Sequence, residues 1–486
     1  MKLVSMAGNQ LSSIKYIVQL MLENRSFDHM LGLLYSNKTG PGNVPFEGLT
    51  GEETNPDANG NLVKVYPIDV TQPGAYFMPG ADPGEGYANT NSQLFGTGAA
   101  PTPAEATNQG FVKNFAAAIT WDQENNRPPQ AGTVASNIMG VFPPTALPVL
   151  SGLATNYAVC DHWFASVPTE TFPNRAFACA ATSQGHMNDS ASSYTVPSIF
   201  GRMTEKDGCS WKIYGYDDEP LTRGNFPDTR SAPDTCFGKF ADFQNDAQNG
   251  QLASYSFLEP SWGSDGNSQH PNYDVALGEA FILQVYEALR TGKGWNETLL
   301  IITYDEHGGL YDHVPPPTNA VAPDTTTQGE DGFNFTRFGV RVPAVLVSPL
   351  IAKNTIFNVP PGGTPIDHTS VLRTLELRWG LEPLTARDAA APDLGDVLTL
   401  PTPRTDNPLD GVVAPVSAGG NPAAGEVSHL EQLHAQMVAD LPVPDEQLVG
   451  QPALPNMATP DDFKNYIETR TQRWKDARDA GQAPRA

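Results

Sequence analysis

Two short apolar runs, each closed by a pair of oxygen-bearing side chains, constrain this chain more than any other feature of it. Tyr16 to Leu22 (YIVQLML) leads into Glu23 and Asn24, and Leu299 to Tyr304 (LLIITY) leads into Asp305 and Glu306. Short runs rich in branched and aromatic residues read as strands buried on both faces, which favours a parallel sheet covered by helices. Pro343 to Leu350 offers a third such run. Helical spacing appears elsewhere, in Ala276 to Leu289 (Ala276, Leu277, Ala280, Phe281, Val285, Leu289) and in His368 to Trp379 (Val371, Leu372, Leu375, Trp379). The alternation predicts an α/β fold. In open α/β sheets ligands bind beyond the carboxyl ends of the strands, so Glu23, Asn24, Asp305 and Glu306 are expected at one such edge.

At 486 residues the chain exceeds a single domain of roughly 100–200 residues, which allows one large domain with insertions or two domains. Residues 57–103 and 315–333 read as long surface loops, and 385–425, rich in Pro, Ala and Gly, as a linker or strap. Two helical patterns follow, at 427–441 and 461–479. The expected division is a catalytic domain over 1–384, then a linker and helical C-terminal extension over 385–486 packed on or near the core. A formal charge of −25 opposes nonspecific binding to nucleic acid and to anionic membrane surfaces, leaving at most transient membrane contact. The first ten residues lack an apolar core with a cleavage site, so no classical export signal is expected. The four cysteines (Cys160, Cys179, Cys209, Cys236) contain no C-x-x-C, and buried free thiols are expected.

Several carboxylates at one sheet edge need a cation, or their pKa values must rise, because like charges a few Å apart cannot both stay ionised cheaply. The segment 171–175 (TFPNR) adds a hydroxyl before a proline turn and a helix-like run, Ala176 to Ser183. There, backbone N–H groups and the helix dipole favour a phosphate, and Arg175 could grip it bidentately. A nearby metal would make the Thr171 hydroxyl a nucleophile. Taken alone, Thr171 reads as a helix N-cap. His270, before Pro271, and His313, in the stretch 305–315 where Gly308 and Gly309 permit a tight fold over the site, are candidates to protonate a leaving alcohol or to serve as structural hydrogen-bonding groups. The chain has no G-x-S-x-G elbow, Walker A loop, H-E-x-x-H or G-x-G-x-x-G after a strand, which disfavours a serine esterase, an NTPase, a zincin and a dinucleotide oxidoreductase.

Together the segments 22–29 (LENRSFDH), 147–150 (LPVL), 157–164 (YAVCDHWF), 166–168 (SVP), 171–175, His270-Pro271, 304–309 (YDEHGG), 311–313 (YDH) and 367–370 (DHTS) resemble a bacterial and plant phosphoesterase family. That family includes phosphatidylcholine-type phospholipase C and the single-metal acid phosphatase of the alkaline phosphatase superfamily. The resemblance runs across about residues 14–380. It implies a three-layer α/β/α sandwich like alkaline phosphatase. It also implies that Glu23, Asn24, Asp305 and Glu306 hold one divalent metal, that Thr171 is the nucleophile bound to it, and that His270 is an active-site histidine. Arg175 and His313 lie inside family motifs. Where relatives carry a further active-site histidine this chain has Glu85, which would repel a phosphate dianion unless protonated or paired, or would meet a cationic headgroup or a second cation. The expected activity is phospholipase C-type cleavage of phosphatidylcholine-like diesters through a phosphothreonine. The alternatives are phosphomonoesterase activity and a catalytically silent headgroup binder. Metal identity among Ca²⁺, Mg²⁺, Mn²⁺ and Zn²⁺ stays open, as does oligomeric state. The resemblance implies a secreted or periplasmic location, and the N-terminus a cytoplasmic one.

Overall fold

The structure, a computed structural model, describes residues 9–35, 38–101, 105–125, 127, 129–190, 193–324, 328–360, 362–422, 425–443 and 454–481. Residues 1–8, on which the export-signal expectation bears, lie outside it.

An eight-stranded sheet forms the centre: β1 (Tyr16–Leu22), β2 (Ala158–Cys160), β3 (Trp211–Gly215), β4 (Phe237–Lys239), β5 (Tyr255–Leu258), β6 (Thr298–Tyr304), β7 (Ala344–Val347) and β8 (Thr355–Ile356), in the spatial order β8-β2-β7-β6-β1-β5-β3-β4. All seven residues of β6 and six of the seven in β1 are buried, so the sheet is covered on both faces, as the apolar runs predict. β1 and β6 pair in parallel from Tyr16 opposite Thr298 to Leu22 opposite Tyr304. This register makes Glu23 and Asp305 leave neighbouring strands side by side. The third apolar run departs from expectation, because β7 lies antiparallel to both β6 and β2. A continuous apolar run reports burial of both faces and carries no information about direction.

Six helices matter for the site: α1 (Tyr87–Phe95), α2 (Pro148–Asn156), α3 (Thr171–Ala180), α4 (Val275–Thr291), α5 (Thr369–Trp379) and α6 (His429–Ala439). α2 packs on α4 and α3 on α5. Glu279 of α4, wholly buried, accepts hydrogen bonds from the Val149 and Leu150 N–H groups at 2.7 and 3.0 Å, satisfying the open N-terminus of α2. Burial pushes its carboxyl up to about 8 despite those two donors. α1 lies where the sequence reads as loop. Three of its four buried residues are polar (Thr90, Asn91 and Gln93, beside Leu94), so it shows no apolar stripe, and it is held by bonds such as Gln93 Nε2 to Gly84 O at 2.6 Å and to Asn114 Oδ1 at 2.9 Å.

Beyond the strap, α6 packs on a last helix, α7 (Pro460–Asp479), through Val438, Phe463, Ile467 and Trp474. α6 also lays Leu430 and Met437 against Phe172, Leu221 and Trp262. The C-terminal extension thus closes over the residue that follows Thr171. Among the described residues no helix is long and apolar enough to cross a membrane. All four cysteines are free thiols. Cys160 and Cys179 are buried as expected, whereas Cys209 and Cys236 are only half-buried.

Candidate active site

Thr171 is the first residue of α3 and is buried. It is not the cap its neighbours suggest. Glu170 holds the N-cap position without a side-chain capping bond, and the helix starts five residues earlier than the run Ala176 to Ser183 implies, ending at Ala181 in the left-handed region (φ 57°). Pro173, third in the helix, is tolerated because the first-turn N–H groups have no intrahelical acceptor. The Thr171 hydroxyl donates to Asn24 Oδ1 over a long 3.4 Å. Asn24 has φ 53°, a left-handed geometry that Asn tolerates better than most residues, and its N–H donates to Asp305 Oδ1 at 2.9 Å. A turn after β1 is thereby tied to the end of β6.

Asp305 organises the rest. Its Oδ1 also accepts the Glu306 N–H at 2.8 Å, and its Oδ2 accepts Arg175 Nε at 2.9 Å in a buried ion pair. Arg175 further donates to Leu22 O at 3.1 Å and lies over the Trp262 ring, 4.6 Å from its centroid. Its Nη1 is buried and, among the described residues, has no acceptor, leaving a donor at the site. His368 closes from behind, its ring Nε2 donating to Asp305 O at 2.6 Å. Gly308, at φ 61°, passes so close that a Cβ there would lie 2.1 Å from Asn24 O, and the fold-over that Gly308 and Gly309 suggest is what forms.

The structure places the residues named for a cation as follows. Among the described residues, both carboxylate oxygens of Glu23 and Oε1 of Glu306 are buried with no hydrogen-bond partner, Glu306 Oε2 accepts the Gly308 N–H at 2.8 Å, and Asn24 Oδ1 accepts from Thr171. Burial raises Glu23 to about 7, offset in part by His270 and reinforced by Asp305. Burial likewise raises Glu306 well above the usual range, and Asp305 adds to it. Orphaned anionic oxygens in a dry site are costly unless paired. The residues therefore fit a hard divalent cation, for which Asp305, already hydrogen-bonded on both oxygens, has only remaining lone pairs to offer.

Glu85 and His270 stand at the same site. Asn24 Nδ2 donates to Glu85 Oε2 at 2.6 Å, and ligand atoms of Asp82, Glu85 and His270 lie within 4.8 Å of one another. Burial raises the Glu85 carboxyl well above its ordinary range, Glu306 being the strongest charge acting on it. Sequence reasoning missed Asp189 and Trp262. Asp189 Oδ1 accepts the Phe172 N–H at 2.7 Å, so one of the helix donors expected to meet phosphate is already taken. Nothing in its local sequence marks it.

His313 is elsewhere in the bonding pattern. Its Nδ1 bonds Asp28 Oδ2 at 2.7 Å and its Nε2 meets Glu47 and Lys38, and among the described residues it shares no hydrogen-bond or ion-pair partner with Thr171, Glu23, Glu85 or Arg175. Burial opposes charge on this ring, but Asp28 outweighs it and raises the pKa above 6.5. A raised histidine pKa stabilises the fold below the unfolded value and loses that contribution as pH climbs through the folded one. His313→Gln is therefore expected to lower the melting temperature more at pH 5.5 than at pH 8.5. An equal loss at both pH values would refute the charged pair.

A hydroxyl at a helix start, at the carboxyl edge of a covered sheet and beside orphaned carboxylates and a free guanidinium donor, belongs to the class of hydrolases acting on phosphoric ester bonds. The comparisons agree with that class. The chain belongs to the Phosphoesterase family, whose model matches residues 14–382. It is 37% identical over 422 residues to non-specific phospholipase C6 of Arabidopsis thaliana, covering 82% of this chain and 75% of that protein. Non-specific phospholipase C1 of the same plant is 34% identical, with 96% and 86% covered. Phospholipase C B of Mycobacterium tuberculosis (strain ATCC 25618 / H37Rv) is 27% identical, with 81% and 79% covered. Among solved structures, a protein in the alkaline phosphatase superfamily from Vibrio parahaemolyticus aligns with TM-score 0.33 at 10% identity over 52% of this chain and 64% of its own.

Proposed function

We propose that the chain cleaves phosphatidylcholine-like phosphodiesters in the manner of a phospholipase C, with Thr171 as nucleophile and a divalent cation at Glu23, Asn24, Asp305 and Glu306. The observation that carries this reading is the Thr171 hydroxyl on Asn24 Oδ1, beside the unpartnered oxygens of Glu23 and Glu306. The names of the relatives support the phospholipid diester as substrate. When bound, the cation supplies positive charge that favours ionisation of a hydroxyl and offsets charge on phosphoryl oxygens. Asn24 orients the Thr171 oxygen. Arg175 Nη1 offers a hydrogen bond to a phosphoryl oxygen, while its Nε keeps Asp305 in place. Attack by Thr171 on phosphorus releases the alcohol and leaves a phosphothreonine, which water then hydrolyses. His270, clustered with Asp82 and Glu85, protonates the departing alcohol oxygen.

The test compares p-nitrophenylphosphorylcholine with p-nitrophenyl phosphate before and after removal of metal by chelation. Turnover of the diester is expected to exceed that of the monoester, to vanish on chelation and to return with added divalent cation. Faster monoester turnover would make the chain a phosphomonoesterase. Undiminished turnover after verified metal removal would overturn the cation.

A further inference from the structure

We infer that Arg25 is a positioning residue for proton delivery: its guanidinium fixes the backbone at His270, so that the ring meets the oxygen leaving phosphorus. Among the described residues Arg25, Arg341 and Arg387 are the arginines buried most completely. Arg341 and Arg387 pair with aspartates. Arg25 forms no ion pair among the described residues, and its partners are neutral acceptors. Nε donates to Gln269 O at 2.5 Å, Nη2 to His270 O at 3.0 Å, and Nη1 to Met78 O at 2.9 Å and to His29 Nε2 at 3.0 Å. A charge taken out of water without an opposite charge is costly, and here hydrogen bonds alone offset it. Three of the four bonds go to backbone carbonyls, so what the guanidinium fixes is the course of the chain.

The segments it fixes are those that carry the site. Ser268 O accepts the Glu23 N–H at 3.0 Å, so the carbonyls of three successive residues, Ser268, Gln269 and His270, are all taken by the stretch after β1 that also carries Asn24. Gln269 sits at φ 68°, a left-handed geometry that a residue other than glycine keeps only where its surroundings hold it. Its side chain is held too, with Nε2 donating to Val275 O at 2.8 Å and Oε1 accepting the Tyr304 hydroxyl. Met78 precedes the segment that leads to Asp82 and Glu85, the carboxylates grouped with His270. Arg25 thus ties His270, and the chain that brings two carboxylates beside it, to Glu23 and Asn24.

The His270 ring itself has fewer ties than its backbone. Its Nδ1 donates to Pro271 O at 2.9 Å, and it lies against the Tyr273 ring with centroids 5.0 Å apart. Among the described residues Nε2 has no hydrogen-bond partner, so Nε2 is the nitrogen that gives up a proton. As the P–O bond to the alcohol breaks, its electron pair passes to the leaving oxygen, which takes the Nε2 proton. The ring is left neutral and regains a proton from the water that hydrolyses the phosphothreonine. Such a transfer needs heavy atoms about 2.6–3.2 Å apart, so a small shift of the backbone at 268–270 interrupts it. The loss falls on basic leaving groups. A diacylglycerol alkoxide needs the proton, whereas p-nitrophenolate departs as a stable anion.

Arg25 has this role only if His270 donates the proton as proposed, and one experiment separates the two. Turnover of p-nitrophenylphosphorylcholine and of dihexanoylphosphatidylcholine is measured for the full chain as wild type, Arg25→Lys, His270→Gln and the double variant, with bound metal and melting temperature alongside. Lysine keeps the charge and brings one nitrogen where arginine brings three. His270→Gln is expected to slow the lipid about a hundredfold or more and the nitrophenyl ester less than about tenfold, within the span of general acid catalysis. Arg25→Lys is expected to slow the lipid about tenfold more than the nitrophenyl ester and to keep the metal content of wild type. In the double variant it adds no further discrimination between the esters, because residues that act as a unit are not additive. If Arg25→Lys does not fold, His29→Leu, which removes one acceptor from Nη1, is expected to give the same unequal loss. Equal slowing of both esters, no slowing, loss of bound metal, or a discrimination that multiplies in the double variant would overturn the role of Arg25 while His270 stands. Equal slowing of both esters by His270→Gln would overturn the proton donor itself, and the role of Arg25 with it.

Discussion

Thr171→Ala is expected to reduce turnover of p-nitrophenylphosphorylcholine by about a thousandfold or more, the scale at which loss of a nucleophile is felt, while leaving the melting temperature within experimental scatter of wild type. The asymmetry follows from the contacts. Thr171 makes one side-chain hydrogen bond, at 3.4 Å, and Glu170 rather than Thr171 holds the N-cap position of α3. The fold therefore asks little of the hydroxyl. Thr171→Ser restores an oxygen at the same position and should recover most of the rate. Quenching a single-turnover reaction of a phosphorus-labelled substrate should leave label on wild-type protein and none on Thr171→Ala. Unchanged turnover in the alanine variant would remove Thr171 from the mechanism.

Arg341→Met is expected to destabilise the fold strongly. Arg341 is wholly buried, paired with Asp312 and Asp28 at 2.9 Å, and its Nη1 donates to Glu47 O and Asp161 O at 2.7 Å. Its guanidinium carbon also lies 4.5 Å from the centroid of the Phe27 ring. Methionine fills the volume and removes the charge, leaving two buried carboxylates facing each other. Breaking a buried pair from one side costs about 3–5 kcal/mol. The pH dependence identifies the cause. Burial already raises Asp312 to about 6 even with Arg341 opposing it, so without the guanidinium a proton at mildly acidic pH relieves the repulsion. The deficit in denaturant or thermal stability should therefore shrink from pH 8 to pH 5. A loss below about 1 kcal/mol, the scale of an exposed pair, or one that does not change with pH, would contradict this account. The pairing also ties the segment after β1 to the loop after β6, with the Asp28 N–H donating to Asp312 at 3.2 Å and Ser26 Oγ to Tyr311 O at 2.6 Å.

Much of the site is local in the sequence and was legible there. Glu23-Asn24 and Asp305-Glu306 are legible because a strand is a run of a few residues and its end is marked by the first polar pair. Thr171 and Arg175 are legible because they share one short motif. Glu85 is different. It meets Asn24 from 61 positions away, from the turn just before α1, a helix whose buried face is mostly polar and so shows no period. Asp189, on the Phe172 N–H, and Trp262, under Arg175, come from loops with no distinguishing pattern. His313 shows the reverse: its motif suggests chemistry, and its bonds join it to Asp28, Glu47 and Lys38.

The sequence by itself determined the covered α/β sheet, the two strand ends that carry the acidic pairs, and the hydroxyl at the start of a helix. These depend on burial and spacing within windows of a few residues. Only the tertiary structure decided that β7 runs antiparallel, that Leu22 lies opposite Tyr304 so that the acidic pairs become neighbours, and that Arg175 belongs to Asp305 while Arg341 holds Asp28 and Asp312. Strand direction, register and the partner of a buried charge are settled by elements far apart in the chain. Each is chosen because the alternative leaves a backbone group or a charge unpaired in the interior.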